Sequence, residues 1–202
     1  MRLLATRWAK AAAIALMLTP AALLAWNASH GDLGANPIEA ITKGTGIWTL
    51  RMLLISLSVT PLRRLISLPE LAPYRRIAGL ATFFYAAAHL MTYVWLDQFF
   101  DWHAMLRDIG KRRFIAAGLV SVAAMAPLAV TSTKGWMRRL GGRRWKALHR
   151  LAYFSAVAGV VHYLWLVKSD VRGPAAYGAA LAVLLLARAV PVKSVTGSVG
   201  DS

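Results

Sequence analysis

Apolar stretches of helix length alternate along the chain with short polar segments. A helix that crosses the hydrocarbon core of a bilayer, about 30 Å thick, needs roughly 20 mostly apolar residues. Six stretches approach this length, at residues 8–26, 47–65, 77–96, 114–131, 149–167 and 175–190. Four of them have tryptophans at or near their ends, where interfacial aromatic residues lie: Trp8, Trp26, Trp48, Trp95 and Trp165. The pattern predicts an all-α membrane protein, a bundle of six transmembrane helices in a single transmembrane domain over residues 1–202, with residues 191–202 as a disordered tail.

The first apolar stretch has two interpretations. Arg2, Arg7 and Lys10 precede an alanine-rich segment, as basic residues do in a secretory signal peptide. The segment that follows, AWNASHG, offers no small-x-small cleavage site. We therefore expect the stretch to remain as a membrane anchor.

Basic residues are concentrated in alternate loops, which predicts an orientation. The N-terminal segment, the second-to-third loop and the fourth-to-fifth loop are strongly basic, and most acidic residues lie in the other loops. The positive-inside rule then places both termini in the cytoplasm. The cluster Lys111-Arg112-Arg113 on the opposite side runs against this bias without outweighing it. In the fourth-to-fifth loop, the Gly141-Gly142 pair predicts a turn.

The composition supports the membrane class. Hydrophobic residues make up 58% of the chain and charged residues only 16%, against about 25% charged in soluble domains. The net charge of +16 does not indicate nucleic-acid binding, because the basic residues lie between apolar stretches rather than on one face. The absence of cysteine excludes disulfides, thiolate-bound zinc and iron–sulfur clusters held by this chain.

Three histidines lie in the apolar stretches, and ionisable side chains within a membrane span are a functional signal. His89 lies thirteen residues beyond Arg76, and His162 lies thirteen residues beyond His149. At 1.5 Å per residue both are about 20 Å from the inner end of their predicted helices, so they share one level. Two imidazoles that face each other at one depth can supply both axial ligands of a haem iron. We therefore predict His89 and His162 as metal ligands.

His149 is a weaker candidate, for a second haem near the cytoplasmic boundary. The third span carries Arg75 and Arg76 at that depth, so these two helices cannot build a second bis-histidine site. His149 and His162 also point in different directions around an ideal helix. Arg75, Arg76 and Arg150 could pair with haem propionates or an anionic flavin, or could simply set topology and contact lipid headgroups.

Other functions remain as alternatives. The three histidines could form the proton relay of a cofactor-free, proton-coupled membrane transporter, although the spans lack the acidic residues of such relays. The chain could also be a plain membrane anchor, which needs no buried histidine. His30 and His103 lie in predicted outer loops, where a partner contact or ordinary solvation would account for them. No catalytic constellation is evident, so any substrate reduction would belong to another protein.

Several long motifs resemble one known family over nearly the whole chain. They are HGDLGANPIEAITKGTG, SVTPLRRL, RRIAGLATFFYAAAHLMTYVWLD and LAVTSTKGWMRRLGGRRWKALHRLAYFSAVAGVVHYLW. The chain resembles the MsrQ family (older name YedZ), the haem-binding membrane subunits of a periplasmic methionine sulfoxide reductase system. In this family the histidines that match His89, His149 and His162 are linked to haem.

The resemblance implies a multi-pass protein of the bacterial inner membrane with a ferric-reductase-like transmembrane domain. It implies one or two haem b groups and, by some family evidence, FMN, as in a flavoprotein. It also implies electron transport from the quinone pool, or from a cytosolic flavin reductase, to a periplasmic molybdopterin-containing partner. That partner would reduce methionine sulfoxide and so repair oxidised proteins, and this chain would be its electron-transfer subunit.

Overall fold

The computed structural model describes residues 2–189, and this part of the chain is helical and contains no strand. A 3-10 turn at Arg2–Ala5 precedes α1, another at Pro69–Leu71 precedes α3, and a π-helical stretch, Thr92–Asp97, continues α3. The predicted all-α class is confirmed. Val190 and the predicted tail at 191–202 lie outside the described residues. The α-helices are α1 (Arg7–His30), α2 (Pro37–Leu65), α3 (Ala72–Met91), α4 (Trp102–Lys111), α5 (Arg113–Val130), α6 (Lys134–Leu148), α7 (Leu151–Leu166) and α8 (Arg172–Ala189).

Several of these helices have the length and apolar character of membrane spans. Within the described residues four helical segments are long and apolar enough to cross a bilayer, and α7 is a shorter apolar helix. These features mark a multi-pass membrane protein. The count of six spans and the cytoplasmic placement of both termini stay predictions. The four segments are Arg7–His30, Pro37–Leu65, Pro69–Asp97 and Arg113–Val130.

Polar residues fix where the helices begin and end. The Thr6 hydroxyl accepts the Ala9 N–H at the start of α1, and the Asn36 side chain accepts the Glu39 N–H at the start of α2. Both oxygens satisfy backbone donors that have no partner within the first helical turn. At the other end of α1 the chain turns at Gly31, whose φ of 77° suits a residue without a Cβ.

Two closely packed helix pairs, α2 with α3 and α5 with α7, form the centre of the bundle. Between α5 and α7, Ser121 and Ser155 exchange hydrogen bonds, since each hydroxyl donates to the other residue's carbonyl oxygen, at 2.9 and 3.0 Å. Close packing of small residues and interhelical hydrogen bonds are what hold helices together in lipid. The shared apolar core contains Leu53, Leu57, Ala86, Met125, Ala156 and Leu181.

A tyrosine fastens α1 to α3 beside a proline. Tyr85 is fully buried, and its hydroxyl accepts the Ala21 N–H at 3.1 Å and donates to the Met17 carbonyl at 2.8 Å. These two backbone groups are four residues apart, so they would otherwise bond to each other within α1. The hydroxyl therefore inserts into the helix next to Pro20, a position where the backbone ladder is already interrupted.

Two helices lie in segments where the apolar pattern predicts only loops. Asp101 caps the start of helix α4, since its side chain accepts the Ala104 N–H. This backbone hydrogen bond lowers the pKa of the exposed Asp101 carboxyl. Helix α6 contains no buried residue and is rich in arginine. Gly141 has φ 72° and ψ 152° inside α6, so the chain turns at the predicted glycine pair and then resumes the helix.

Candidate cofactor site

The structure brings the rings of His89 and His162 together across the bundle. His89 lies in the last turn of α3, and His162 lies near the end of α7. Their ring centroids are 5.9 Å apart and their planes are inclined by 77°. We call these two residues the histidine pair. The shared level expected from the thirteen-residue spacings is therefore present, while the role of the pair as metal ligands stays a prediction.

A backbone carbonyl from a neighbouring helix holds each ring of the pair. His89 Nδ1 lies 2.9 Å from the Thr42 carbonyl oxygen of α2, and the Thr45 hydroxyl lies 3.4 Å from the same nitrogen. His162 Nδ1 lies 2.6 Å from the Phe114 carbonyl oxygen of α5. A carbonyl oxygen can only accept, so Nδ1 carries the hydrogen and donates it. In a neutral ring this leaves the lone pair on Nε2, the nitrogen available to a metal.

Two glycines make room for these hydrogen bonds. Gly46 follows Thr42 by four residues, and Gly118 follows Phe114 by four. A side chain four residues on lies over the carbonyl on the same helix face, because Cα–Cβ bonds tilt toward the helix N-terminus. A Cβ on Gly46 would come within 3.0 Å of His89 Cε1, and one on Gly118 within 2.8 Å of His162 Nδ1. The residues that orient the pair were missed from the sequence, because the glycines gain meaning only once the facing histidine is known.

The separation of the two rings matches that of two imidazoles on one metal. Two imidazoles that bind one metal from opposite sides have ring centroids about 6 Å apart, since each nitrogen lies about 2 Å from the metal and the ring centre about 1 Å further. The observed 5.9 Å agrees with this separation. Among the described residues no three His, Cys, Asp or Glu side chains cluster closely enough to hold a bare metal ion. A two-histidine donor set suits a metal whose other ligands come from a macrocycle.

His149 is not part of the pair. The predicted fifth span included it, but α6 ends at Leu148 and α7 begins at Leu151, so His149 lies at the junction between them. Its ring stacks on Trp145, with centroids 3.8 Å apart, and its Nδ1 lies 3.1 Å from the Trp145 carbonyl. This contact joins His149 to the last turn of the preceding helix, while the membrane limits of the fifth span stay a prediction. Its Nε2 remains available by the same argument that applies to the pair.

The three candidate arginines have different surroundings. Arg75 is half-buried in the first turns of α3, and its backbone carbonyl accepts the Ser56 hydroxyl at 3.1 Å. Arg76 and Arg150 are exposed. The cofactor roles of all three arginines stay predictions.

The remaining histidines lie at helix ends rather than in loops. His30 is the last residue of α1, where its ring stacks on Trp26 with centroids 4.1 Å apart and its Nδ1 lies 2.9 Å from the Trp26 carbonyl. The loop prediction for His30 was therefore wrong, since α1 extends four residues beyond the apolar stretch that ended at Trp26. His103 lies exposed in the first turn of α4, a helix that the sequence pattern did not predict.

Comparison with known proteins identifies the family of the chain. Residues 44–160 match the family described as ferric reductase like transmembrane component, a range that includes His89 and His149 and ends two residues before His162. The chain is also similar to proteins named protein-methionine-sulfoxide reductase heme-binding subunit MsrQ. It is 47% identical to that of Caulobacter vibrioides over 169 residues, which cover 84% of this chain and 80% of the relative.

Two further relatives carry the same name. The protein of Azospira oryzae is 50% identical over 177 residues, covering 87% of this chain and 76% of the relative. That of Rhodospirillum rubrum is 52% identical over 161 residues, covering 80% and 77%. Identity at this level over most of both chains shows common descent and a common fold, so the chain belongs to the MsrQ family of ferric-reductase-like membrane proteins.

Proposed function

We propose that this chain is a haem b electron-transfer subunit of a methionine sulfoxide reductase system in the bacterial inner membrane. The observation that carries the proposal is the histidine pair, with ring centroids 5.9 Å apart and both Nδ1 atoms bonded to backbone carbonyls. The relatives are named heme-binding subunits, which supports the proposal. A haem bound between the two Nε2 atoms would supply one-electron redox chemistry.

The protein's part in this chemistry is to bind and orient. His89 and His162 would hold the iron, and the carbonyls of Thr42 and Phe114 would fix the tautomer and the direction of each ring. Both rings are half-buried, and limited exposure to water is one means by which a protein sets a redox potential. The chain itself needs no catalytic residue, because a partner would reduce the substrate.

The finer parts of the proposal concern the route of the electrons. Electrons would enter at the arginine-rich end of the bundle, from the quinone pool or a cytosolic flavin reductase, and leave at the histidine-pair end to a periplasmic molybdopterin-containing partner. Six membrane spans with both termini in the cytoplasm would give this direction. A second haem at His149, or an FMN near Arg75, Arg76 and Arg150, would shorten the path across the membrane.

A reduced-minus-oxidised visible spectrum of the detergent-purified protein tests the haem directly. We expect a b-type spectrum that is lost in both His89→Ala and His162→Ala. His103→Ala is the matched control, because this histidine is exposed in α4, and its spectrum should equal that of the unsubstituted protein. Partial loss in His149→Ala would indicate a second haem. A colourless protein after expression with ample haem would overturn the proposal and favour the proton-coupled transporter.

The orientation can be tested independently of the haem. Reporter fusions that are active only in the cytoplasm or only in the periplasm would be placed after residue 140 in α6 and after residue 108 in α4. We expect the first site to report cytoplasm and the second periplasm. The reverse result would place the histidine pair at the cytoplasmic side and contradict the proposed direction of electron flow.

A further inference from the structure

Three arginines from three helices approach one another at the end of the bundle opposite the histidine pair. Arg188 lies in the last turn of α8, Arg64 in the last turn of α2 and Arg75 near the start of α3. The Arg64 guanidinium donates to the Arg188 carbonyl at 3.4 Å. The Ser56 hydroxyl donates to the Arg75 carbonyl at 3.1 Å, and the next residue, Leu57, has the carbonyl that accepts from Arg188, so the Arg75 backbone lies beside this contact. We call these residues the arginine cluster.

A proline in α2 fixes the position of Arg188. Pro61 has no N–H, so the carbonyl of Leu57, four residues earlier, lacks its helical partner. Arg188 replaces that partner, because its Nε donates to the Leu57 oxygen at 3.2 Å and one terminal nitrogen donates to the same atom. Its other terminal nitrogen donates to the Tyr153 hydroxyl at 2.6 Å. The guanidinium is thus held in place by neutral groups alone.

Some N–H donors of the arginine cluster have no hydrogen-bond partner among the described residues. A guanidinium has five N–H donors, and the three hydrogen bonds of Arg188 leave two of them unused within the described chain. The Tyr153 hydroxyl accepts from Arg188, so its own hydrogen can be donated elsewhere. Unused donors of positive charge in a half-buried position favour an acceptor of negative charge.

No carboxylate of the described residues neutralises the cluster. The structure has two ion pairs within residues 2–189, Lys43 with Glu39 and Arg112 with Asp108, and neither involves these arginines. Glu70 is the one described acidic residue in a segment at this end of the bundle, and one of its carboxylate oxygens is buried without a hydrogen-bond partner. No carboxylate in residues 2–189 therefore compensates the positive charges of the cluster.

We propose that Arg64, Arg75 and Arg188, with the Tyr153 hydroxyl, bind a phosphate group at this end of the bundle. A phosphate oxygen matches the planar fork of a guanidinium, and such charge-assisted bonds are stronger than bonds between neutral groups. The phosphate could come from an anionic phospholipid headgroup or from a soluble phosphate ester, since both carry the same chemistry. The site does not depend on the histidine pair, because none of its residues contacts the pair, and it shares only Arg75 with the inner cofactor site proposed above.

The experiment compares two probes on the full chain purified in neutral detergent. Glycerol 3-phosphate represents the soluble source, and its binding is measured as a concentration-dependent rise in melting temperature. Phosphatidylglycerol represents the lipid source, and its retention relative to phosphatidylcholine is measured by native mass spectrometry. Binding of glycerol 3-phosphate or selective retention of phosphatidylglycerol supports the site and identifies the source.

Three variants separate a defined site from general attraction. Arg64→Gln and Arg188→Gln should weaken the binding of the effective probe about tenfold or more, whereas Arg144→Gln, an exposed position in α6, should leave it unchanged. Arg64→Gln is decisive if Arg188→Gln unfolds, because the described contacts of the Arg64 side chain include only one weak hydrogen bond. Equal loss in all three variants, or no binding of either probe, would overturn the proposal.

Discussion

His89 and His149 make the same kind of hydrogen bond, yet their rings are fixed in different ways. Each Nδ1 donates to a backbone carbonyl, at 2.9 Å for His89 and 3.1 Å for His149. The carbonyl bonded by His89 belongs to another helix, forty-seven residues away, whereas the one bonded by His149 belongs to Trp145, one turn earlier. The direction of the His89 ring therefore depends on the packing of α2 against α3, while that of His149 is set locally.

This difference shows which contacts fix the directions of the histidine rings in the site. A metal bound by two side chains needs both rings aimed at one point, and a local contact cannot aim one helix at another. The pair meets this need because α2 holds His89 and α5 holds His162. His149 has no second histidine opposite it, and the direction of its ring is set only by contacts within its own helical turn. The predictions below test this distinction, beginning with the largest expected effect.

Gly118→Ala should damage the histidine pair most. The added methyl would lie 2.8 Å from His162 Nδ1, so the ring must move away from the Phe114 carbonyl. Loss of such an orienting bond typically lowers metal affinity by 10- to 100-fold, and we expect haem content to fall about tenfold or more. The measurement is the haem-to-protein ratio after purification.

Gly110→Ala is the control for this change. A Cβ on Gly110 meets nothing within 4 Å, and the position lies in α4. Its haem content should equal that of the unsubstituted protein. Full haem content in Gly118→Ala would mean that contact with α5 does not orient His162.

Tyr85→Phe should lower stability without changing the haem. The substitution removes the hydroxyl that links the Ala21 N–H and the Met17 carbonyl. A buried hydrogen bond contributes about 1 kcal/mol net, and the helix can partly restore its own bond. We expect a fall in melting temperature of roughly 2–4 °C, as for 1 kcal/mol in a chain of this size.

The haem spectrum of Tyr85→Phe serves as a control for the effect of Gly118→Ala. Tyr85 also bonds to the backbone of another helix, but that helix is α1, which does not hold either histidine of the pair. If the haem spectrum changed together with stability, haem loss in Gly118→Ala could no longer be assigned to the orientation of His162.

Trp145→Ala should affect only the junction. It removes the ring that stacks on His149 at 3.8 Å and also the indole N–H that donates to the Thr131 carbonyl. Trp145→Phe keeps an aromatic ring and loses only the indole bond, so it is the matched variant. We expect any spectral component assigned to His149 to shrink in Trp145→Ala and to persist in Trp145→Phe. Loss of the component assigned to the pair would show that the two regions are not independent.

The sequence predicts the helices of the core well, because apolar stretches of spanning length have few alternatives in lipid. It also predicts that His89 and His162 meet, since two equal spacings from basic helix ends give one depth. It does not predict α4 or α6, whose residues are too polar for a search based on apolar runs. It placed His149 inside a span because the run WKALHRLAYF does not mark the junction that follows Leu148.

The contacts made by carbonyls escaped prediction for a different reason. Thr42 and Phe114 act through backbone oxygens, which every residue has, so their side chains give no signal. Gly46 and Gly118 do give one, but glycine also serves ordinary helix packing in membranes. Whether a glycine makes room for a histidine or serves helix packing depends on the residue that faces it, and identifying that residue requires the tertiary structure.

Thr45→Val should have the smallest effect on the pair. The Thr45 hydroxyl lies 3.4 Å from His89 Nδ1, a long contact, and it donates to the Ile41 carbonyl at 2.8 Å in its own helix. Valine keeps the shape and removes the oxygen, while the Thr42 carbonyl still accepts from His89. We therefore expect full haem content and a change in midpoint potential below about 60 mV, which is a tenfold effect for one electron.

Thr49→Val is the control, because that hydroxyl donates to the Thr45 carbonyl one turn further along α2. A redox titration in which Thr45→Val loses haem, while Thr49→Val does not, would show that the hydroxyl rather than the carbonyl of the neighbouring helix orients His89.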